Sequence, residues 1–138
     1  MTTTSPMKWH GGKHYLAKRI IALMPPRCQN PNAPAADDPG WLHYVGPYAG
    51  GLSALCAHDP EGISEVVNDI NGDLTNFWSV LRDVELFADF QRQIEAMPLS
   101  QHEWVHSDPE DQVPKPRANW SMVELAVAFF VRYRQSRQ

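Results

Sequence analysis

Two glycines and an acid are spaced as in a nucleoside-binding site. Gly50 and Gly51 follow an apolar run at residues 42–45, and Asp69 follows a second one at 65–68. Glycine lets a backbone approach a ligand where a side chain would collide, and an acid at the end of the second strand of a βαβ unit accepts hydrogen bonds from ribose hydroxyls. The acid lies nineteen residues after Gly50, close to the usual spacing of about 20. The pattern predicts a nucleoside or nucleotide site.

The same residues also fit a purely structural role. Asp69 or Asn71 could cap a helix that begins just after them, because short polar side chains accept hydrogen bonds from the free N–H groups of a first helical turn. The full Gly-x-Gly-x-x-Gly fingerprint is absent, which weakens NAD or FAD as the ligand. Both interpretations stay open at this point.

The elements around these residues alternate between helix and strand, and that order predicts an α/β layer with a parallel sheet. The strongest helix signals are the i, i+3, i+4, i+7 apolar spacing of residues 71–83 and the capping box Ser121-x-x-Glu124. We predict helices over residues 14–24, 52–58, 71–83 and 86–97 and from Ser121 onward, strands over 42–45 and 65–68, and loops over 29–40 and 105–118.

Two strands make a poor parallel sheet, because parallel strands need cover on both faces. The helix from Ser121 also presents a broad aromatic face, and an exposed apolar surface of this kind seeks a partner. We therefore expect an incomplete domain. The alternative is an all-helical protein in which both strands are misread.

Length and composition indicate a globular protein. The chain has 138 residues, of which 43% are hydrophobic, enough for one domain. No apolar run approaches the ~18 residues that a membrane span needs, and the N-terminus lacks the apolar segment of a signal peptide. The two cysteines lie outside any CxxC motif, which fits a reducing compartment. We expect a cytoplasmic protein without a membrane partner.

Cations are concentrated at the two ends of a chain whose net charge is −4. Residues 1–27 carry five Lys or Arg and no acid, residues 28–114 hold fifteen of the sixteen acids, and residues 115–138 carry five cations against Glu124. Basic ends could follow the phosphate backbone of a nucleic acid. The alternative is that they are solvated helix faces.

A third segment shifts the balance toward a cofactor site. Residues 8–13 (KWHGGK) do not form a Walker A loop, because Met7 and His14 stand where that motif needs Gly and Ser or Thr. The segment resembles the N-terminal motif of Dam-like (D12 class) adenine-specific DNA N6-methyltransferases. Residues 44–51 (YVGPYAGG) and 67–74 (VNDINGDL) resemble the next two motifs of that family, in the same order.

The resemblance implies an incomplete Rossmann-like fold of the S-adenosylmethionine-dependent methyltransferases, with a helical C-terminal segment. It implies that residues 1–104 are the cofactor-binding part, 105–120 a loop, and 121–138 the start of a truncated target-recognition region. Trp9 would pack against S-adenosylmethionine, Lys13 would meet its carboxylate, and Asp69 would bind its ribose. The full set of implied cofactor-binding residues is Trp9, Lys13, Tyr48, Gly50, Gly51 and Asp69.

Two residues depart from the family pattern beside these motifs. Gly46 stands where the family usually has Glu, an acid expected near the amino group of the methionine part of the cofactor. Leu52 stands where a glycine is common. Loss of the acid at position 46 is expected to weaken cofactor affinity unless another group replaces it.

The largest departure is the catalytic motif. Residues 1–138 contain no Asp-Pro-Pro-Tyr, and the Asp-Pro pairs at Asp38, Asp59 and Asp108 predict loop turns. The resemblance therefore implies an N-terminal fragment of a site-specific DNA-methyltransferase, of the kind found in restriction–modification. The complete enzyme would move a methyl group from S-adenosylmethionine to a flipped-out adenine in double-stranded DNA, and we expect the fragment alone to be inactive.

Two other functions remain open at this point. One is a non-enzymatic cofactor-binding half that pairs with a separate catalytic chain, and the other is a NAD-type nucleotide binder. A metal site has weaker support. His10 and His14 are four residues apart, as are His102 and His106, but neither pair has a suggestive third ligand. No catalytic or metal-binding residues are therefore predicted.

Overall fold

The computed structural model describes residues 5–7, 9–30, 32, 34, 36–38, 40–98, 100–107 and 117–135. By packing, the chain divides into two compact units, Met1–Asp69 (unit 1) and Ile70–Gln138 (unit 2). Unit 1 contains α1 (Ala17–Leu23), β1 (His43–Gly46), a 3-10 helix (Leu55–Ala57) and β2 (Ser64–Val67). Unit 2 contains α2 (Gly72–Arg82), α3 (Val84–Ala96), α4 (Gln101–His106), a 3-10 helix (Arg117–Asn119) and α5 (Met122–Gln135).

The two strands of unit 1 pair in parallel, as predicted. Tyr44 lies opposite Glu65 and Gly46 opposite Val67, and the Asn68 N–H donates to the Gly46 carbonyl at 2.9 Å beyond the end of β2. The all-helical alternative is therefore wrong. Helices combined with a small parallel sheet are compatible with an incomplete methyltransferase fold.

One face of this sheet is exposed. Val45 and Val66 are partners in the strand register, and 64% and 54% of their surfaces are accessible. Every residue of β2 is exposed, whereas parallel strands are normally covered on both faces. Among the described residues, nothing covers this valine pair.

Two helices of unit 1 are shorter than predicted. The helix expected over 14–24 spans only Ala17–Leu23, and its N-cap Leu16 offers no side-chain acceptor to the first N–H groups. The helix expected over 52–58 is a single 3-10 turn, Leu55–Ala57. Its start is displaced because Leu52 adopts a left-handed conformation with φ of 57°, which no right-handed helix contains.

Unit 2 is a small helical bundle built around Phe77, a fully buried residue of α2. The Phe77 ring lies 5.8 Å from that of Phe90 on α3 and 5.6 Å from that of Phe129 on α5, centroid to centroid. These spacings are typical of favourable aromatic pairs. The prediction of an exposed aromatic face on the last helix was wrong, because α2 and α3 cover that face.

Short polar side chains set the helix starts of unit 2. The Asn71 Oδ1 accepts hydrogen bonds from the N–H groups of Asp73 and Leu74, both at 3.0 Å. The predicted capping box is confirmed, with Glu124 N donating to Ser121 Oγ at 3.2 Å and Ser121 N donating to Glu124 Oε2 at 2.7 Å. These caps explain why α2 and α5 match their predicted starts.

The segment predicted as a loop over 105–118 is partly helical. Residues 105 and 106 belong to α4 and residues 117–119 to a 3-10 turn, while 108–116 lie outside the described residues. Among the helices described, none is both long and apolar enough to cross a membrane. The functional division at 1–104, 105–120 and 121–138 is not tested by the packing and stays a prediction.

Removal of the Asn71 cap should loosen unit 2. We expect Asn71→Ala to lower the free energy of unfolding by about 1 kcal/mol, because two N–H groups of the first turn lose their acceptor. Asn71→Ser retains an acceptor and serves as the control, with a loss of only a few tenths. Urea unfolding followed by far-UV circular dichroism measures both, and equal stability of the two variants would contradict the assigned cap.

Candidate cofactor site

A cavity of about 240 Å³ opens at the carboxyl ends of β1 and β2. This is the edge of a parallel sheet where ligands bind. Three stretches of unit 1 line it: the turn at residues 9–13, the segment from β1 into the 3-10 helix, and the end of β2. All six predicted site residues are among its lining, namely Trp9, Lys13, Tyr48, Gly50, Gly51 and Asp69.

A hydrogen bond to Asp69 connects the segments that follow the two strands. Its Oδ2 accepts a hydrogen bond of 2.9 Å from the Gly50 N–H, and the neighbouring Ala49 N–H donates to the Asn68 carbonyl at 3.0 Å. The cap of α2 is instead Asn71. Of the two residues considered as caps, Asn71 is confirmed and Asp69 is not the cap, because the Asp69 carboxylate accepts from the glycine turn.

The two glycines leave space for Trp9. A Cβ at Gly50 would lie 3.1 Å from Trp9 Cδ1, and one at Gly51 would lie 2.8 Å from Trp9 Cβ. Gly50 also has a φ of 50°, which favours glycine. Glycines at these positions also allow the close approach of a ligand. The geometry gives them a second role, which is to let an indole pack against the turn.

The N-terminal segment is folded onto this turn. Gly12 N donates to the Trp9 carbonyl at 2.8 Å, and a Cβ at Gly12 would lie 2.7 Å from that oxygen. The Ser5 hydroxyl donates to the Met7 carbonyl at 3.0 Å and also to the Gly51 carbonyl. The glycines of the KWHGGK segment thus form a tight turn that keeps Trp9 against Gly51.

Tyr44 is a cavity-lining residue that the sequence argument did not select. Burial raises the pKa of its hydroxyl, as do the nearby Glu65 carboxylate and Cys56. The phenol is therefore neutral at neutral pH. The signal was available, because side chains two apart on a strand share a face and Tyr44 precedes Gly46 by two.

Two other carboxylates of unit 1 accept hydrogen bonds from backbone N–H groups. Asp38 Oδ2 accepts from the Asn30 N–H at 2.7 Å, and Asp59 Oδ1 accepts from the Glu61 N–H at 3.3 Å. The predicted loop turn at Asp59 is thereby confirmed, whereas the turns predicted at Asp38-Pro39 and Asp108-Pro109 include residues outside the described part of the chain. In the described part of the chain, no group of three or more His, Cys, Asp or Glu could hold a metal ion.

Helices, a small parallel sheet and a cavity at its carboxyl edge define a chain of the α/β type with a candidate ligand site. The family model for D12 class N6 adenine-specific DNA methyltransferase matches residues 9–113, about three quarters of the chain. The protein therefore belongs to this family of DNA adenine N6-methyltransferases. Neither a curated protein nor a solved structure matches the chain significantly.

Leu52 provides a test of the strain in the turn. We expect Leu52→Gly to be more stable than Leu52→Ala by about 0.5–1 kcal/mol. A left-handed φ costs a residue with a Cβ about 1–2 kcal/mol, and the extra chain entropy of glycine offsets only about 0.5–1 kcal/mol of that. The free energy of unfolding in urea, followed by tryptophan fluorescence, measures the difference.

Leu55 serves as the control for this pair, because it lies in the 3-10 helix and is not among the residues with positive φ. There the usual order should hold, with alanine more stable than glycine. If the glycine and alanine variants rank the same way in stability at positions 52 and 55, Leu52 is not strained.

Proposed function

We propose that unit 1 binds S-adenosylmethionine in the cavity at the carboxyl ends of β1 and β2, and that this cofactor serves the methylation of adenine N6 in double-stranded DNA. The family supports the reaction. The observation that carries the proposal is the convergence of three distant motifs on one cavity, joined by the hydrogen bond from Gly50 to Asp69.

The charges in the cavity fit the groups of this cofactor. Asp69 offers carboxylate oxygens to ribose hydroxyls and keeps its orientation through the Gly50 N–H. Lys13 is a cation at the cavity wall that suits a carboxylate. The turn needs no pyrophosphate cradle, because S-adenosylmethionine has no pyrophosphate. When bound, the cofactor would supply the electrophilic methyl group, and this chain's residues would hold and orient it.

DNA is the proposed macromolecular partner. Lys18 and Arg19 are exposed on α1. In the described part of the chain, neither Lys18 nor Arg19 forms an ion pair. Exposed cations without an ion-pair partner are suited to DNA phosphates. This placement supports DNA binding but does not identify a target sequence.

We further propose that residues 1–138 do not transfer a methyl group by themselves. They lack Asp-Pro-Pro-Tyr, the family motif that holds the target base, so no residue is assigned a catalytic role. The exposed Val45 and Val66 pair supports the need for further sheet structure. That structure and the motif would come from another segment of a longer chain or from a separate polypeptide.

Binding of S-adenosylmethionine can be measured by isothermal titration calorimetry with the purified protein. We expect Asp69→Asn to weaken binding at least tenfold, because a charged acceptor of hydrogen bonds contributes about 1.5–3 kcal/mol. Asp37→Asn is the control, since Asp37 is exposed and does not line the cavity. Binding of NAD without binding of S-adenosylmethionine would replace this proposal with the NAD-type alternative.

The Trp9→Ala variant cannot show whether the cavity binds S-adenosylmethionine or NAD. Trp9 packs against Gly50 and Gly51, so its loss is expected to disturb the turn whichever nucleotide binds there. The Asp69 and Asp37 variants, together with direct competition between the two cofactors, avoid this problem.

The expected inactivity is tested with methyl-labelled S-adenosylmethionine and double-stranded DNA. Purified residues 1–138 should leave the DNA unlabelled, because the motif that positions the target base is missing. An active Dam-like methyltransferase serves as the positive control on the same DNA. Labelled N6-methyladenine formed by residues 1–138 alone would refute the expectation.

A further inference from the structure

Gly46 has no side chain, and the Tyr44 ring occupies the space that a side chain at position 46 would take. A Cβ built on Gly46 would lie 3.2 Å from Tyr44 Cε1 and 3.6 Å from the Tyr44 hydroxyl oxygen. A glutamate at this position would carry its carboxylate a similar distance from its own Cβ. The phenolic oxygen thus lies in the range that an acid at position 46 would reach, and both residues line the cavity.

Two residues, Glu65 and His58, neighbour Tyr44 on its face of the sheet. Glu65 is its partner in the parallel register, so their side chains lie on the same face of the sheet. The His58 ring, buried against that face, lies 5.0 Å from the Tyr44 ring, centroid to centroid. His58 Nε2 lies 3.6 Å from Glu65 Oε1. The Tyr44 ring therefore packs beside His58, with the Glu65 carboxylate on the same face of the sheet.

The hydroxyl of Tyr44 has the chemistry to receive a cation. Within the described residues it takes part in no hydrogen bond, and its oxygen has lone pairs to accept one. The negative charge of Glu65 makes the surroundings favourable for a cation. S-adenosylmethionine carries such a cation in the ammonium group of its amino-acid part.

We propose that the Tyr44 hydroxyl replaces the missing acid at position 46 and accepts a hydrogen bond from the amino group of S-adenosylmethionine. This inference rests on the proposed function, because it assigns a contact within the same cavity. It makes Tyr44 a determinant of cofactor specificity that the motif pattern alone does not contain.

The test compares three ligands that differ at the amino-acid end. S-adenosylmethionine has both the amino and carboxylate groups, decarboxylated S-adenosylmethionine has only the amino group, and 5′-methylthioadenosine has neither. We expect Tyr44→Phe to weaken binding of the first two about tenfold, because it removes one hydrogen bond to a charged group. Binding of 5′-methylthioadenosine should not change. Tyr15→Phe, at an exposed tyrosine outside the cavity, is the matched control.

The outcomes separate this inference from the proposed function. If the unmodified protein binds none of the three ligands, the proposed function fails and this inference fails with it. If S-adenosylmethionine binds equally well to the protein and to Tyr44→Phe, the inference alone fails. A uniform loss across all three ligands would also overturn it, because it would indicate damage to the cavity rather than loss of the amino-group contact.

A rescue variant gives an independent measurement. Tyr44→Ala removes the ring that crowds position 46, and the further change Gly46→Glu then introduces an acid in the space. We expect the double variant to bind S-adenosylmethionine more tightly than Tyr44→Ala and to bind 5′-methylthioadenosine equally. Circular dichroism checks that both variants fold. Absence of this gain would show that position 46 does not face the amino group.

Discussion

The packing of the Trp9 indole against the backbone of Gly50 and Gly51 is the contact on which the candidate site depends. A Cβ at position 51 would collide with Trp9 Cβ, and one at position 50 would crowd the indole. The same contact fixes the N-terminal turn, which brings Lys13 to the cavity wall. The Gly50 N–H then directs Asp69. Three motifs that are far apart in the chain therefore act as one structure.

Sequence reasoning succeeded where local chemistry determines the outcome. The capping box at Ser121 and Glu124 is readable because the two residues satisfy each other's free N–H groups within one turn. The parallel pairing of β1 and β2 and the placement of Asp69 beside Gly50 follow from the geometry of a βαβ unit. The six proposed site residues could likewise be predicted to share a cavity, although their binding roles remain proposals.

The errors arose where distant contacts decide the structure. Nothing local to Leu52 announces its left-handed conformation, since leucine is a good helix former in most contexts. The aromatic face of α5 suggested a docking surface, and only the bundle shows that Phe77 and Phe90 cover it. Tyr44 was not predicted as a site residue because a tyrosine in a short strand is ordinary, and its proposed role depends on the side chain absent at Gly46, whose place its ring occupies.

The two units differ in how far they can stabilise themselves. The largest fully buried side chains among the described residues are Phe77, Leu74 and Val80, and all three belong to unit 2. In the described part of unit 1, the buried apolar side chains are only those of Ala17 and Cys28. Unit 1 therefore relies on hydrogen bonds and on the packing of Trp9 more than on a hydrophobic core.

The stability of unit 1 should therefore depend strongly on whether a ligand is bound to it. A ligand that binds only the folded state stabilises that state in proportion to the logarithm of its concentration over Kd. The cavity, the glycine turn and Asp69 all lie in unit 1, so ligand binding acts on the unit with the smaller core. The exposed Val45 and Val66 face adds a second surface whose burial would stabilise the same strands. Cofactor binding and added sheet structure would thus reinforce each other, because both favour the ordered ends of β1 and β2.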